Sequence, residues 1–273
     1  MPRRVLKISQ GGQKVNLHLT KGEKSPYLAL SHCWGSTPPL QTTKANIGAH
    51  LHNIPLTFLP RLFLDAITLT SRLGHQYLWV DSLCIIQDSP PDWDRESSLM
   101  SSIYTNSALT IAATHAASSS SSLFSASTAT PIPLGNATLY ARPATRHIHR
   151  HPSPAFPLLT RAWVYQERLL SPRVVHFTPD ELSWECNRSI RCQCGYFDRA
   201  DARYTFHADK RWGVDIKRQH TTSLIKAIAI NDKNALHARW RKVVTDAWLT
   251  EPRFKDVVLL AVPGGTKGPD QRA

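Results

Sequence analysis

The apolar positions fall into short unbroken runs and longer runs of helical spacing, and the two kinds alternate. Tyr27-Leu-Ala-Leu-Ser31 reads as a short buried strand ended by Trp34-Gly35. Leu59, Leu62, Phe63, Ala66, Ile67 and Leu73 recur at helical spacing, with Thr57 placed as the cap and Pro60 in the first turn. Gly74 comes next, where a helix end takes a left-handed residue. Tyr77-Leu-Trp-Val-Asp81, continuing through Ile85-Ile86, reads as a second buried strand with Asp81 in its middle. Pro90-Pro91 breaks the chain, and Asp92, Asp94 and Glu96 crowd the next helix start, where the macrodipole favours anions. Leu99, Met100, Ile103, Tyr104 and Ala108 give that helix an apolar face, with Leu99, Ile103 and Tyr104 expected against the sheet. Leu109-Thr-Ile-Ala-Ala113 is a third strand. The rhythm predicts an α/β fold, a parallel sheet flanked by helices.

Further along, Ala116 to Thr130 is of low complexity, with five serines at Ser118–Ser122, and is expected to be a mobile surface loop. Arg142 to Pro157 is rich in Pro, His and Arg and reads as a second loop. Ala162–Leu170 is a compact helix. Val174–Phe177 and Leu182–Cys186 then form two strands of a hairpin around Thr178-Pro179-Asp180. These elements define one domain over residues 1–198, with loop insertions and a small hairpin or helical appendage. Residues 199–273 are weakly patterned, with one helix expected near Ala235–Trp248 and a disordered tail at Gly264–Ala273.

Composition narrows the class. Hydrophobic residues make up 41% of 273, charged residues 19%, and there are eight Trp, which is a globular chain. No apolar run approaches the ~20 residues of a membrane span, and the basic start lacks the apolar stretch of a secretory signal. Five cysteines argue against a disulfide framework. A soluble, cytoplasmic protein is expected. The formal charge is +13, and residues 199–255 carry thirteen Lys/Arg against six Asp/Glu. This basic region reads as a solvated surface, with nucleic-acid contact as the lesser alternative, because the zinc-finger, basic-zipper and RNA-binding signatures are missing.

Several residues carry candidate chemistry. Ser31, His32, Cys33 and Trp34 end the first strand, where α/β folds place ligands. The Cys84–Asp88 loop, which carries Gln87, is expected at the same edge. A carboxylate at Asp81 inside a buried strand needs a partner. Each of these can line a pocket or serve as a fixed core element. Gln166, Glu167 and Arg168 are charged or polar in an apolar helix, where an internal Glu167–Arg ion pair that locks the helix is expected ahead of direct catalysis. Cys186, Cys192 and Cys194, with His176 as a fourth ligand, match no common zinc spacing. The alternating His147, His149 and His151 have no fourth ligand in view. No metal site is expected.

Four segments in order resemble the heterokaryon-incompatibility (HET) family. They are Tyr27–Gly35, Tyr77–Asp88, Asp94–Glu96 with Met100, Ile103-Tyr104 and Ala108, and Arg161–Arg173 leading to Trp184-Glu-Cys186. Arg191-Cys-Gln-Cys-Gly195 also recurs in such proteins. The stretch from Trp240 to Asp256 resembles the region after the domain in longer relatives, and the ending at Val262-Pro-Gly-Gly reads as a truncation of that region. The resemblance implies a fungal protein of non-self recognition and programmed cell death, acting through self-association or a protein partner. It also implies a distant likeness to the Rossmann-like TIR domains, some of which cleave NAD with one glutamate. By that analogy the catalytic candidate is Glu96, three residues after Trp93 where the usual spacing is one longer. NAD would then be the substrate, with Trp34 or Trp93 stacked on its base or nicotinamide ring. A third implication is an accessory role in a secondary-metabolite biosynthetic pathway, since the family also occurs among such genes.

Overall fold

The computed structural model describes residues 1–125, 130–141, 147–148, 155–195 and 217. The helix expected near Ala235–Trp248, the tail and most of the Pro/His/Arg-rich loop lie outside these residues. Among those described, eight strands form one mixed sheet. Its centre is parallel. β3 (Leu28–Ser31) pairs on one side with β4 (Tyr77–Trp79) and on the other with β5 (Leu109–Ala112), and β5 pairs with β8 (Arg173–Phe177). Two antiparallel pieces extend it. The hairpin β1 (Arg4–Ser9) and β2 (Lys14–Leu19) adds beyond β4, and β9 (Leu182–Cys186) and β10 (Ile190–Cys192) add beyond β8. The β8–β9 hairpin is therefore built into the sheet. A separate exposed ribbon joins β6 (Thr130–Leu134) to β7 (Ala137–Ala141).

The chain leaves β3 for β4 in one direction, then crosses back to β5 on the other side. The carboxyl ends of β3 and β5 therefore flank the point where the winding reverses, and α/β sheets open a crevice there. The four residues of β3 are all buried, as a strand covered on both faces requires. After the short α1 (Ile47–His52), which packs on β2, Phe63 of α2 (Arg61–Arg72) meets His32 edge-on at 5.1 Å. Tyr104 of α4 (Pro90–Thr105) meets Trp79 edge-on at 5.6 Å and donates to the Leu30 carbonyl at 3.3 Å. The helix α5 (Ala162–Leu170) packs against α4.

The expected second strand is shorter than the apolar run. β4 ends at Trp79, and Asp81 opens a single helical turn, α3 (Asp81–Cys84), where its carboxylate accepts the Ser82 N–H at 2.6 Å. Leu99 is 44% exposed and does not reach the sheet, whereas Ile103 and Tyr104 do. Gly74 has φ +76° at the end of α2, as its position predicted. Thr57 does not cap α2. It lies in a separate tight turn at Leu56–Phe58, and Pro60 stands at the helix start with extended backbone.

The serine run is docked, contrary to the free loop expected. The Ser119 carbonyl accepts the Leu62 N–H at 3.1 Å, satisfying an amide that the first turn of α2 leaves over. The Asp65 carboxylate accepts from the Ser122 hydroxyl at 2.7 Å and the Leu123 N–H at 2.9 Å. Gly35 allows this approach. A Cβ there would fall 2.5 Å from the Ser118 Cβ, and its φ of +85° already excludes most side chains.

Candidate functional site

The ends of β3 and β5, where such sheets open a crevice, meet one buried carboxylate. Glu167 projects from α5, is 8% exposed, and faces the Ser31 hydroxyl of β3 and the Tyr104 phenol of α4. Burial pushes its carboxyl up to about 7. The Ser31 and Tyr104 hydroxyls and the Arg161 guanidinium pull the other way, and the Asp81 carboxylate adds to the rise. Ser31 Oγ and Glu167 Oε2, though neighbours, do not close a hydrogen bond of good geometry with each other or with another protein group. Two buried polar atoms beside one another without a well-formed bond carry a cost in stability.

Arg161 stands at the cap position of α5, next to the amides that open that helix. Its guanidinium acts on His32, Cys33, Tyr104 and Glu167 together, so it is central to the cluster. Burial raises the Cys33 thiol, with Arg161 opposing, and so disfavours a thiolate nucleophile. Burial holds His32 below the usual histidine range, opposed by Asp81 and assisted by Arg161. The neutral His32 lies 3.8 Å from Asp81 and against Phe63, on the opposite face of the strand from Ser31. The Trp34 indole N–H donates to Asp81 Oδ2 at 2.9 Å. It is neither a core plug nor a loose ring, but a half-buried wall fixed by the carboxylate.

The sequence candidates thus divide. Ser31, Trp34 and Asp81 gather at the crevice, with His32 behind them. Gln87 turns its amide to the carbonyls of Asp81 and Ile85, both at 3.1 Å, and clamps the loop after α3. Trp93 is 45% exposed on α4. Glu96 is 1% exposed, and the groups acting on it are Arg4, Asp92, Arg3 and Arg95, all from β1, its approach or α4 itself. Burial raises its carboxyl, with Arg4 opposing. It belongs to a buried ion cluster in which Arg4 also pairs with Asp92 and donates to the Cys84 carbonyl at 2.6 Å. The ion pair expected at Glu167 forms one residue later. Arg168 meets Glu185 of β9 at 2.7 and 3.2 Å, a two-pronged contact that fixes α5 to the sheet. Tyr104 and Arg161 are absent from the site residues the sequence singles out, and Glu167 stands there first as an ion-pair partner. Their signal lay in the third and fourth family-like segments, where all three occur.

Fold and site together define a doubly wound α/β protein with a buried cluster centred on a carboxylate at its switch point. Residues 27–167 match the family model described as Heterokaryon incompatibility protein (HET), just over half of the chain and every crevice residue named above. The chain belongs to the heterokaryon incompatibility family. No curated protein and no solved structure matches it.

Proposed function

We propose that this protein acts in non-self recognition of the heterokaryon-incompatibility kind, that its output is a cell-death response, and that it works from the cytoplasm by self-association or through a protein partner. The crevice over β3 and β5 is its ligand pocket. The observation that carries the pocket is the unsatisfied Ser31–Glu167 pair beside Arg161. A carboxyl near neutrality donates or accepts a hydrogen bond as a ligand demands, and a guanidinium with helix amides beside it suits phosphate or carboxylate. A nucleotide-like ligand with a ring for Trp34 fits that set. The test is expression in a fungal host with viability monitored. Wild type is expected to reduce viability, and Glu167→Gln, with the fold retained, to abolish the effect. Undiminished killing by a folded Glu167→Gln protein would overturn the role given to the pocket.

A second reading is a TIR-like glycohydrolase of NAD or another nucleotide. It is supported by Glu167, since glycosidic cleavage passes through an oxocarbenium-like state that a nearby carboxylate stabilises. Nicotinamide release from NAD, lost in Glu167→Gln but kept in Glu96→Gln, would favour it. Loss in Glu96→Gln alone would return the catalytic role to Glu96. No release by wild type leaves the pocket as a binding site.

A further inference from the structure

Four side chains of metal-ligating type from three separate stretches of chain converge at the β8–β10 side of the sheet. Glu181 ends the turn between β8 and β9, Cys192 closes β10, Cys194 lies in the next turn, and His147 comes from the segment before α5. One donor atom from each lies within 4.8 Å of those of the other three. His147 Nδ1 is 3.0 Å from Glu181 Oε1, and His147 Nε2 is 4.0 Å from Cys194 Sγ. The two sulfurs, Cys192 Sγ and Cys194 Sγ, are 3.2 Å apart. The Cys194 backbone N–H donates to Glu181 Oε2 at 2.9 Å, which orients the carboxylate with Oε1 toward the imidazole. His147, Glu181 and Cys192 are buried, and Cys194 is half-buried.

We propose that these four residues form a structural zinc site. The donor set is two sulfurs, one imidazole nitrogen and one carboxylate oxygen, all ordinary zinc ligands, and four protein ligands close a tetrahedral shell. The two thiols select against Mg²⁺ and Ca²⁺, which take oxygen. Tetrahedral zinc with Zn–S near 2.3 Å sets its sulfurs roughly 3.8 Å apart, so the thiols part by a little over half an ångström on binding. Each gives up its proton to solvent as it does so. A disulfide is the competing use of the pair. It would need the sulfurs, now 3.2 Å apart, to close to a bond of about 2.05 Å. Cys186 is outside the group and contacts Ser189 at 3.5 Å, while His176 is held by Thr114 and Glu185. The group is therefore not the set of Cys186, Cys192, Cys194 and His176 weighed from the sequence, where no metal site is expected. Zinc here ties the edge strand β10 and the β8–β9 turn to the segment before α5.

The test uses the full-length protein, purified without chelators from cells supplied with zinc, dialysed, and assayed for metal by mass spectrometry. Chelated protein is then titrated with Co²⁺. Close to one zinc per chain and a thiolate-to-cobalt charge-transfer band are expected. Cys192→Ser and His147→Gln should each weaken retention by about tenfold or more, and Cys186→Ser should leave it unchanged. Absence of both retained metal and the cobalt band would overturn the site, as would recovery of a Cys192–Cys194 disulfide in protein that takes up no metal. The cobalt titration of the wild type decides the matter even where a variant fails to fold.

Discussion

Arg4 Nη2 lies 3.4 Å from Glu96 Oε1, and the guanidinium is shared with Asp92, so the first residue of β1 is charged, buried and answered by two carboxylates of α4. This contact fastens the amino-terminal hairpin to that helix. Arg4→Met would leave Glu96 buried without its paired cation and Asp92 with only the more distant Arg3 and Arg95. A loss of about 3–5 kcal/mol is expected from breaking a buried pair on one side, read as a shift of the urea midpoint. Glu96→Gln keeps the Arg4–Asp92 contact and should lose clearly less. Equal losses would show that Asp92 contributes little.

Asp65 holds the serine run through two hydrogen bonds to a charged acceptor. Asp65→Ala should cost about 1–3 kcal/mol and open residues 118–123 to protease. In the wild type this stretch should resist digestion under native conditions. Early cleavage there in the wild type would contradict the docking.

Glu167 in the fold has its carboxyl raised to about 7, against an ordinary value of 4.5. Between these values the folded protein binds more protons than the unfolded one, so this group's contribution is complete below about 4.5 and is lost as pH rises through about 7. Glu167→Gln removes that loss. The variant should gain stability over wild type across this window, by up to a few kcal/mol, in denaturant titrations at stepped pH.

His176 runs the other way. Burial, opposed by the Glu185 hydrogen bond, lowers it to about 4 from 6.5, so its contribution is full above about 6.5 and is lost as pH falls through about 4. The two groups therefore oppose each other over the range they share. His176→Gln should flatten the acid limb of the stability profile, and an unchanged limb would place the acid sensitivity elsewhere.

Ile103 and Leu99 separate core from surface on one helix. Ile103→Asp buries a charge with no partner and should leave little folded protein. Leu99→Asp should change stability by less than about 0.5 kcal/mol. Comparable damage from both, by thermal melting, would show that the exposed flank of α4 is covered in solution.

The parallel core was legible because β3, α2, α4, β5 and α5 each carry an apolar pattern of one period. The β1–β2 hairpin was not, because Arg4 and Lys7 interrupt its apolar residues, and only the Asp92 and Glu96 partners explain a buried arginine there. Asp81 was read into a strand because Tyr77–Ile86 is apolar nearly throughout, and periodicity cannot tell a buried strand from a buried turn of helix. The serine run carries no apolar signal, and it is docked by the Leu62 amide and by a carboxylate 57 residues away from Ser122. Half of the crevice was visible at the end of β3. Glu167 was hidden by its neighbour, since Glu-Arg side by side invites an ion pair that Arg168 makes elsewhere.

The sheet order also bears on where this protein can be cut. The family-matched span stops at Glu167, yet Thr110, Ile111 and Ala112 of β5 pair with Val174, Val175 and His176 of β8. An expression fragment ended at the family boundary would strip β5 of its outer neighbour. It would turn a central strand into a bare edge of apolar residues, a template for pairing with another chain. Solubility of such fragments should return only when the boundary is moved past β10.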